Sequence, residues 1–159
     1  FGKSQELQDR CNLILVAGKL RVEESGDNEE RDEIIKLYRI IEQYNLQGKI
    51  RWLGVRLPKG ESGEIYRVIA DRQGIFVQPA LFEAFGLTIL EAMISGLPTF
   101  ATQFGGPLEI IQDKFNGFYI NPTHLEETAE KILAFVSECD RKPKYWQEIS
   151  QRGIERVYS

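Results

Sequence analysis

Two glutamates flank a glycine in the run QPALFEAFGLTILE, residues 78–91. Glu83 and Glu91 stand eight positions apart, with Gly86 between them. The run leads from an expected strand into an expected helix, and Gly86 permits close approach of backbone to a ligand. The amides of Leu87 and Thr88 would then open the helix. The first amides of a helix have no partner within it, and the helix dipole adds partial positive charge at that end. Such a terminus suits a phosphate or diphosphate. Glu91 lies one turn further on, where a carboxylate can accept hydrogen bonds from both vicinal hydroxyls of a ribose. Glu83, in the preceding loop, is placed to meet the sugar end of the same ligand. The set fits a nucleotide sugar: sugar, diphosphate, ribose. On spacing alone the two glutamates also fit a structural reading, because acids near a helix N-terminus are favoured by the dipole without a ligand.

These groups come together only if strands and helices alternate around them. The patterning supplies that alternation. Strands are expected over residues 12–17, 50–53, 74–78, 99–101 and 117–120, and helices over 30–44, 64–72, 87–95, 125–139 and 144–157. A short helix is expected at Pro107, since proline suits the first helical position. Residues 1–10 read as the end of a helix with no cap before it. The continuous apolar run NLILVA, residues 12–17, predicts a strand buried on both faces. Ile34, Leu37, Tyr38, Ile41 and Tyr44 form one helical stripe, and Leu125, Ala129, Ile132, Leu133 and Val136 form another. Residues 54–63, with Gly54, Pro58, Gly60 and Gly63, read as a loop. The expected fold is α/β: a Rossmann-like, three-layer parallel sheet with helices on both faces. Ligands of such sheets bind at the carboxyl ends of the strands, which points to loops 18–28, 54–63, 78–88 and 102–107.

The chain has 159 residues, 20 basic and 24 acidic, for a net charge of −4. That length allows a single domain with a sizeable core, and the acidic balance excludes the basic footprint of a nucleic-acid binder. Residues 21–33 alone hold seven acids and two bases, so the acidity belongs to one segment, expected to be a solvated loop without function. One histidine and two cysteines, Cys11 and Cys139, make a poor metal set, and no metal or other cofactor is expected. Two cysteines fit a reducing compartment better than a disulfide framework. No apolar run approaches the roughly 20 residues that span a bilayer, so a soluble cytoplasmic domain is expected. His124 is expected at the surface, Trp52 and Trp146 in packing, and both cysteines as small buried apolar groups.

Glu83 and Glu91 match the E-x7-E motif of retaining glycosyltransferases of the GT-B fold. The wider run over residues 76–111 resembles the sucrose synthases in particular. So do IRWLG (50–54), GEIYR (63–67), NGFYINP (116–122) and the closing YWQEISQRGIERVYS. Sucrose-phosphate synthases share the loop but typically carry NPA in place of Gln78-Pro79-Ala80. The resemblance implies reversible conversion of sucrose and a nucleoside diphosphate into nucleotide-glucose and fructose, with retention and without a metal. It implies that Glu91 holds the ribose and that the Leu87 and Thr88 amides hold the diphosphate. Glu83, with the Phe85 and Gly86 amides, would address the glucosyl hydroxyls. Gly105-Gly106-Pro107 would line the same site. The resemblance also implies that the leaving diphosphate itself helps deprotonate the incoming hydroxyl. The ligand partners implied are UDP or ADP and their glucose conjugates, with sucrose and fructose in a full-length, oligomeric enzyme.

Two departures accompany the resemblance. The family's Arg and Lys that neutralise the diphosphate have no match in residues 1–10. The chain is therefore expected to be one N-terminally truncated nucleotide-binding domain, lacking its first strand and inactive alone. The other departure is Arg56 and Ser62, which stand where plant sucrose synthases use Gln and Asn around uracil. Arg only donates hydrogen bonds, but it can stack on a purine. A bacterial enzyme that uses ADP at least as readily as UDP is expected. Two other readings stay open: a sucrose-phosphate synthase-type transferase and a non-catalytic nucleotide-binding domain.

Overall fold

The computed structural model describes residues 1–54 and 59–159, which fall in two compact units, Phe1–Pro58 and Lys59–Ser159. The first unit runs α1 (Gln5–Arg10), β1 (Leu13–Leu15), α2 (Asn28–Gln43) and β2 (Ile50–Trp52). The second runs α3 (Lys59–Asp71), β3 (Phe76–Gln78), α4 (Leu87–Ile94), β4 (Thr99–Thr102), α5 (Pro107–Ile110), β5 (Phe118–Ile120), α6 (Leu125–Arg141) and α7 (Tyr145–Tyr158). Every strand pairing is parallel, β1 with β2 in one sheet and β3-β4-β5 in order in the other. The α/β class and the flanking helices expected from the sequence are present.

In the first unit, α1 does not begin uncapped. Ser4 Oγ accepts from Leu7 N at 3.3 Å, so a short helix starts at residue 5 with its own N-cap. Leu13 and Leu15 pair with Ile50 and Trp52. The expectation of a strand buried on both faces fails. Side chains alternate along a strand, and Ile14 and Val16 are 41% and 42% exposed. The acidic segment is not simply solvated either. Ser25 is buried, its hydroxyl donates to Glu30, and Arg31 Nε donates to its carbonyl at 2.8 Å. Asp27 caps α2 through Glu29 N. Trp52 packs against Tyr38 and donates to Ala17 O at 2.8 Å. Cys11 is half-buried here, and Cys139, in the second unit, is half-buried against that unit's core.

In the second unit, α3 starts at Lys59 and not at residue 64, so the second half of the expected loop is helical. Glycine weakens a helix interior by about 1 kcal/mol. Packing offsets that cost here: Tyr66 meets Phe76 edge-on at 5.4 Å, and Ala70 joins the core. The three-stranded sheet is covered on both faces, and strand parity divides the core. Val77, Phe100, Phe118 and Ile120 share one side with Phe135 of α6 and with Trp146 and Ile149 of α7. Phe76, Ala101 and Tyr119 share the other with Ile89 and Met93 of α4. Phe100 stacks on Phe118 at 4.5 Å, and Phe135 meets both rings edge-on. Leu125, expected inward, is exposed, while Phe135 is the buried residue of α6. Two bonds fasten α7 to the amino ends of the strands: Trp146 Nε1 donates to Gly74 O at 2.9 Å and Ser150 Oγ to Gly96 O at 2.6 Å. No helix among the described residues is long and apolar enough to cross a membrane.

Truncating Phe100 to alanine removes the ring that both other aromatics contact. Equilibrium urea unfolding should show a loss of about 3–5 kcal/mol. A loss below about 1 kcal/mol would contradict this account of the core.

Candidate functional site

The carboxyl end of β3 opens into the loop that carries Glu83. The backbone of that loop is clamped to the loop after β4. Glu83 N donates to Phe104 O at 3.1 Å, and Gly106 N donates to Glu83 O at 2.7 Å. The approach is close enough that only glycine fits on the other side. A Cβ at Gly105 would lie 2.1 Å from Glu83 O, and one at Gly106 2.7 Å from Ala84 O. Gly105 also has φ +99°, a left-handed conformation that costs other residues strain. The glycine pair thus packs backbone on backbone beneath the Glu83 loop.

The Glu83 side chain closes the same loop. Its Oε1 accepts from Phe85 N at 3.2 Å and from Gly86 N at 2.9 Å. Its Oε2 accepts from Gln78 Nε2 at 2.6 Å. The two amides expected to reach outward therefore turn onto the carboxylate of their own loop. Gly86 then takes φ +76°, and α4 begins. A Cβ there would lie 2.5 Å from the tip of the Ile110 side chain, which can yield, so the left-handed conformation is what calls for glycine.

Beyond Gly86 the helix starts as expected. Gly86 O accepts from Ile89 N and Leu90 N. The Leu87 and Thr88 amides have no hydrogen-bond partner among the described residues, and both residues are exposed. Glu91 follows one turn on, half-buried. Burial, and then the Glu91 carboxylate beside it, push the Tyr66 phenol of α3 above the ordinary tyrosine range. Ser62 lies one turn before Tyr66 on α3 and is half-buried. Arg56 lies outside the described residues. A bare helix terminus, a carboxylate one turn along and a phenol beside it form a polar mouth within the second unit. Phe82, Phe85 and Leu87 are exposed around it, Phe85 by 77%.

Sequence reasoning missed two residues of this mouth. The sequence marks Gln78 as a strand end and as part of the family resemblance, with no role in the site. Its period-two position puts it on the same sheet face as Phe76, which α4 covers. Tyr66 falls in the expected helix and in the segment GEIYR, with no role assigned, although it sits one turn from Ser62.

Residues 2–153 match the family described as glycosyl transferases group 1. The chain is 77% identical over its whole length to a sucrose synthase of Thermosynechococcus vestitus, covering 20% of that protein. It is 56% identical over 157 residues to a sucrose synthase of Melioribacter roseus, covering 99% of this chain and 20% of that one. The chain thus spans about a fifth of the length of these relatives. In fold it is similar to a sucrose-phosphate synthase from Thermosynechococcus elongatus, with TM-score 0.73, 24% identity and coverage of 92% of this chain and 33% of that one. It is also similar to Anabaena HepE in complex with UDP and glucose, with TM-score 0.71, 25% identity and coverage of 98% and 40%.

Two measurements check this geometry. Glu91→Gln should lower the Tyr66 phenol part of the way back, because burial, the larger cause, remains. A pH titration of phenolate absorbance against a Tyr66→Phe control reads this, and an unchanged Tyr66 would refute the adjacency. Gly105→Ala should destabilise the fold by about 2 kcal/mol or more, through left-handed strain and the clash with Glu83 O. Thermal unfolding at wild-type stability would remove the clamp from the account.

Proposed function

The chain belongs to the glycosyl transferases group 1 family, and from that membership we propose that its second unit binds the nucleotide-sugar donor of a sucrose synthase. The observation that carries the reading is the pair of unpartnered amides, Leu87 N and Thr88 N, at the start of α4. They meet a diphosphate with aligned donors and the positive end of the dipole. Glu91 accepts from the ribose hydroxyls. Glu83 takes the sugar end. Its carboxylate offers about four lone-pair directions, of which three already serve Phe85 N, Gly86 N and Gln78 Nε2, so one remains for a glucosyl hydroxyl. The sucrose synthase relatives and the UDP and glucose bound by HepE support this ligand class.

In the full-length protein the glucosyl C1–O bond to fructose breaks and a C1–O bond to the β-phosphate forms, with retention, and the reverse. The proton moves between the fructose hydroxyl and a phosphate oxygen, so no protein nucleophile is required. The backbone amides stabilise charge on the leaving diphosphate, the electrostatic role that dominates many such sites. Arg56 and Ser62, where plant enzymes place two amides, favour ADP at least equally with UDP.

The test is a sucrose-cleavage assay on the full-length protein with UDP and ADP side by side. Glu91→Ala should weaken nucleoside diphosphate binding by about 10- to 100-fold, the effect of losing hydrogen bonds to a charged acceptor. Unchanged affinity in calorimetry would refute the ribose role. A strong preference for UDP would refute the assignment at Arg56 and Ser62.

A further inference from the structure

We propose that Gln78 is the positioning residue of this site: it holds Glu83 so that the loop bares the diphosphate amides. The inference rests on the nucleotide-sugar reading above and deepens it. Glu83 Oε2 has one protein partner, Gln78 Nε2, at 2.6 Å. A carboxylate only accepts, so the group facing it must donate. The amide orientation follows, and Gln78 Oε1 is left buried with no partner among the described residues. Burying a half-satisfied amide is unfavourable. The bond to Glu83 is therefore what an amide at position 78 contributes.

Without the donor, Oε2 would turn to solvent, and Oε1 would leave the Phe85 and Gly86 amides that it now holds. Those two bonds fold the chain into the left-handed turn at Gly86, which in turn sets the direction of Leu87 N and Thr88 N. Gln78 thus acts on the ligand through Glu83 and Gly86 without touching it.

The experiment measures calorimetric affinity of the full-length protein for UDP and ADP. Gln78→Met keeps the bulk and removes the donor. Gln78→Glu sets two carboxylates face to face. Each should weaken nucleotide binding about tenfold. The exchange variant, Gln78→Glu with Glu83→Gln, reverses the bond. The new amide donates to the new carboxylate, while its carbonyl still accepts Phe85 N and Gly86 N. It should recover affinity to within about threefold of wild type, which a residue that merely fills space would not do. Wild-type affinity in Gln78→Met, or an exchange variant as weak as Gln78→Glu alone, overturns the proposal. If Gln78→Glu does not fold, as thermal unfolding would reveal, Gln78→Met decides alone. A wild-type protein that binds neither nucleotide overturns the nucleotide-sugar reading and this proposal with it. Binding by the wild type with no effect of the variants overturns the role of Gln78 only.

Discussion

A loop that offers its backbone to a ligand must satisfy its other polar groups internally. In this chain that condition falls on one side chain. The Glu83 carboxylate draws in the amides of Phe85 and Gly86, together with the side-chain amide of Gln78. By taking those donors out of circulation, it leaves the next two amides as the free ones. The turn that leads into α4 thus closes on one carboxylate, and the Leu87 and Thr88 amides open the helix just beyond it. Preorganised donors of this kind need little rearrangement when negative charge appears.

The clamp beneath the loop has a second requirement, which is space. Gly105 and Gly106 let two loops from neighbouring strands meet backbone to backbone. The parallel register of β3 and β4 brings those loops to one edge, since Gln78 lies beside Ala101 and the strands end together. Parallel pairing, glycine and carboxylate are thus successive conditions for the same mouth.

Much of this was legible in the residues. The alternation of strand and helix, the position of α4, the motif glutamates and the bare amides of Leu87 and Thr88 follow from patterning and from helix-terminus physics. Other features were not. The α3 start was hidden by Gly60 and Gly63, which signal a loop locally but are outweighed by the packing of Tyr66 on Phe76. The half-exposure of β1 was hidden because a run of apolar residues does not say how many faces of a strand are covered. Ser4 is a readable cap, but the six residues of α1 form a helix too short for its pattern to mark a start. The inward turn of the Phe85 and Gly86 amides could not be read at all, because it depends on the reach of Gln78 across the four intervening residues of irregular chain.

The bonds from Trp146 and Ser150 reach the carbonyls of Gly74 and Gly96, which precede β3 and β4. The sheet is therefore fastened at its amino edge, while the Glu83 loop and the start of α4 lie at its carboxyl edge. The two tasks draw on different residues, separated by the length of the strands. Fastening residues can drift or be strengthened without disturbing the mouth, and the loops at the mouth can be rebuilt for another base or sugar without loosening the core. One scaffold can in this way diversify its chemistry at one edge while its rigidity is maintained from the other.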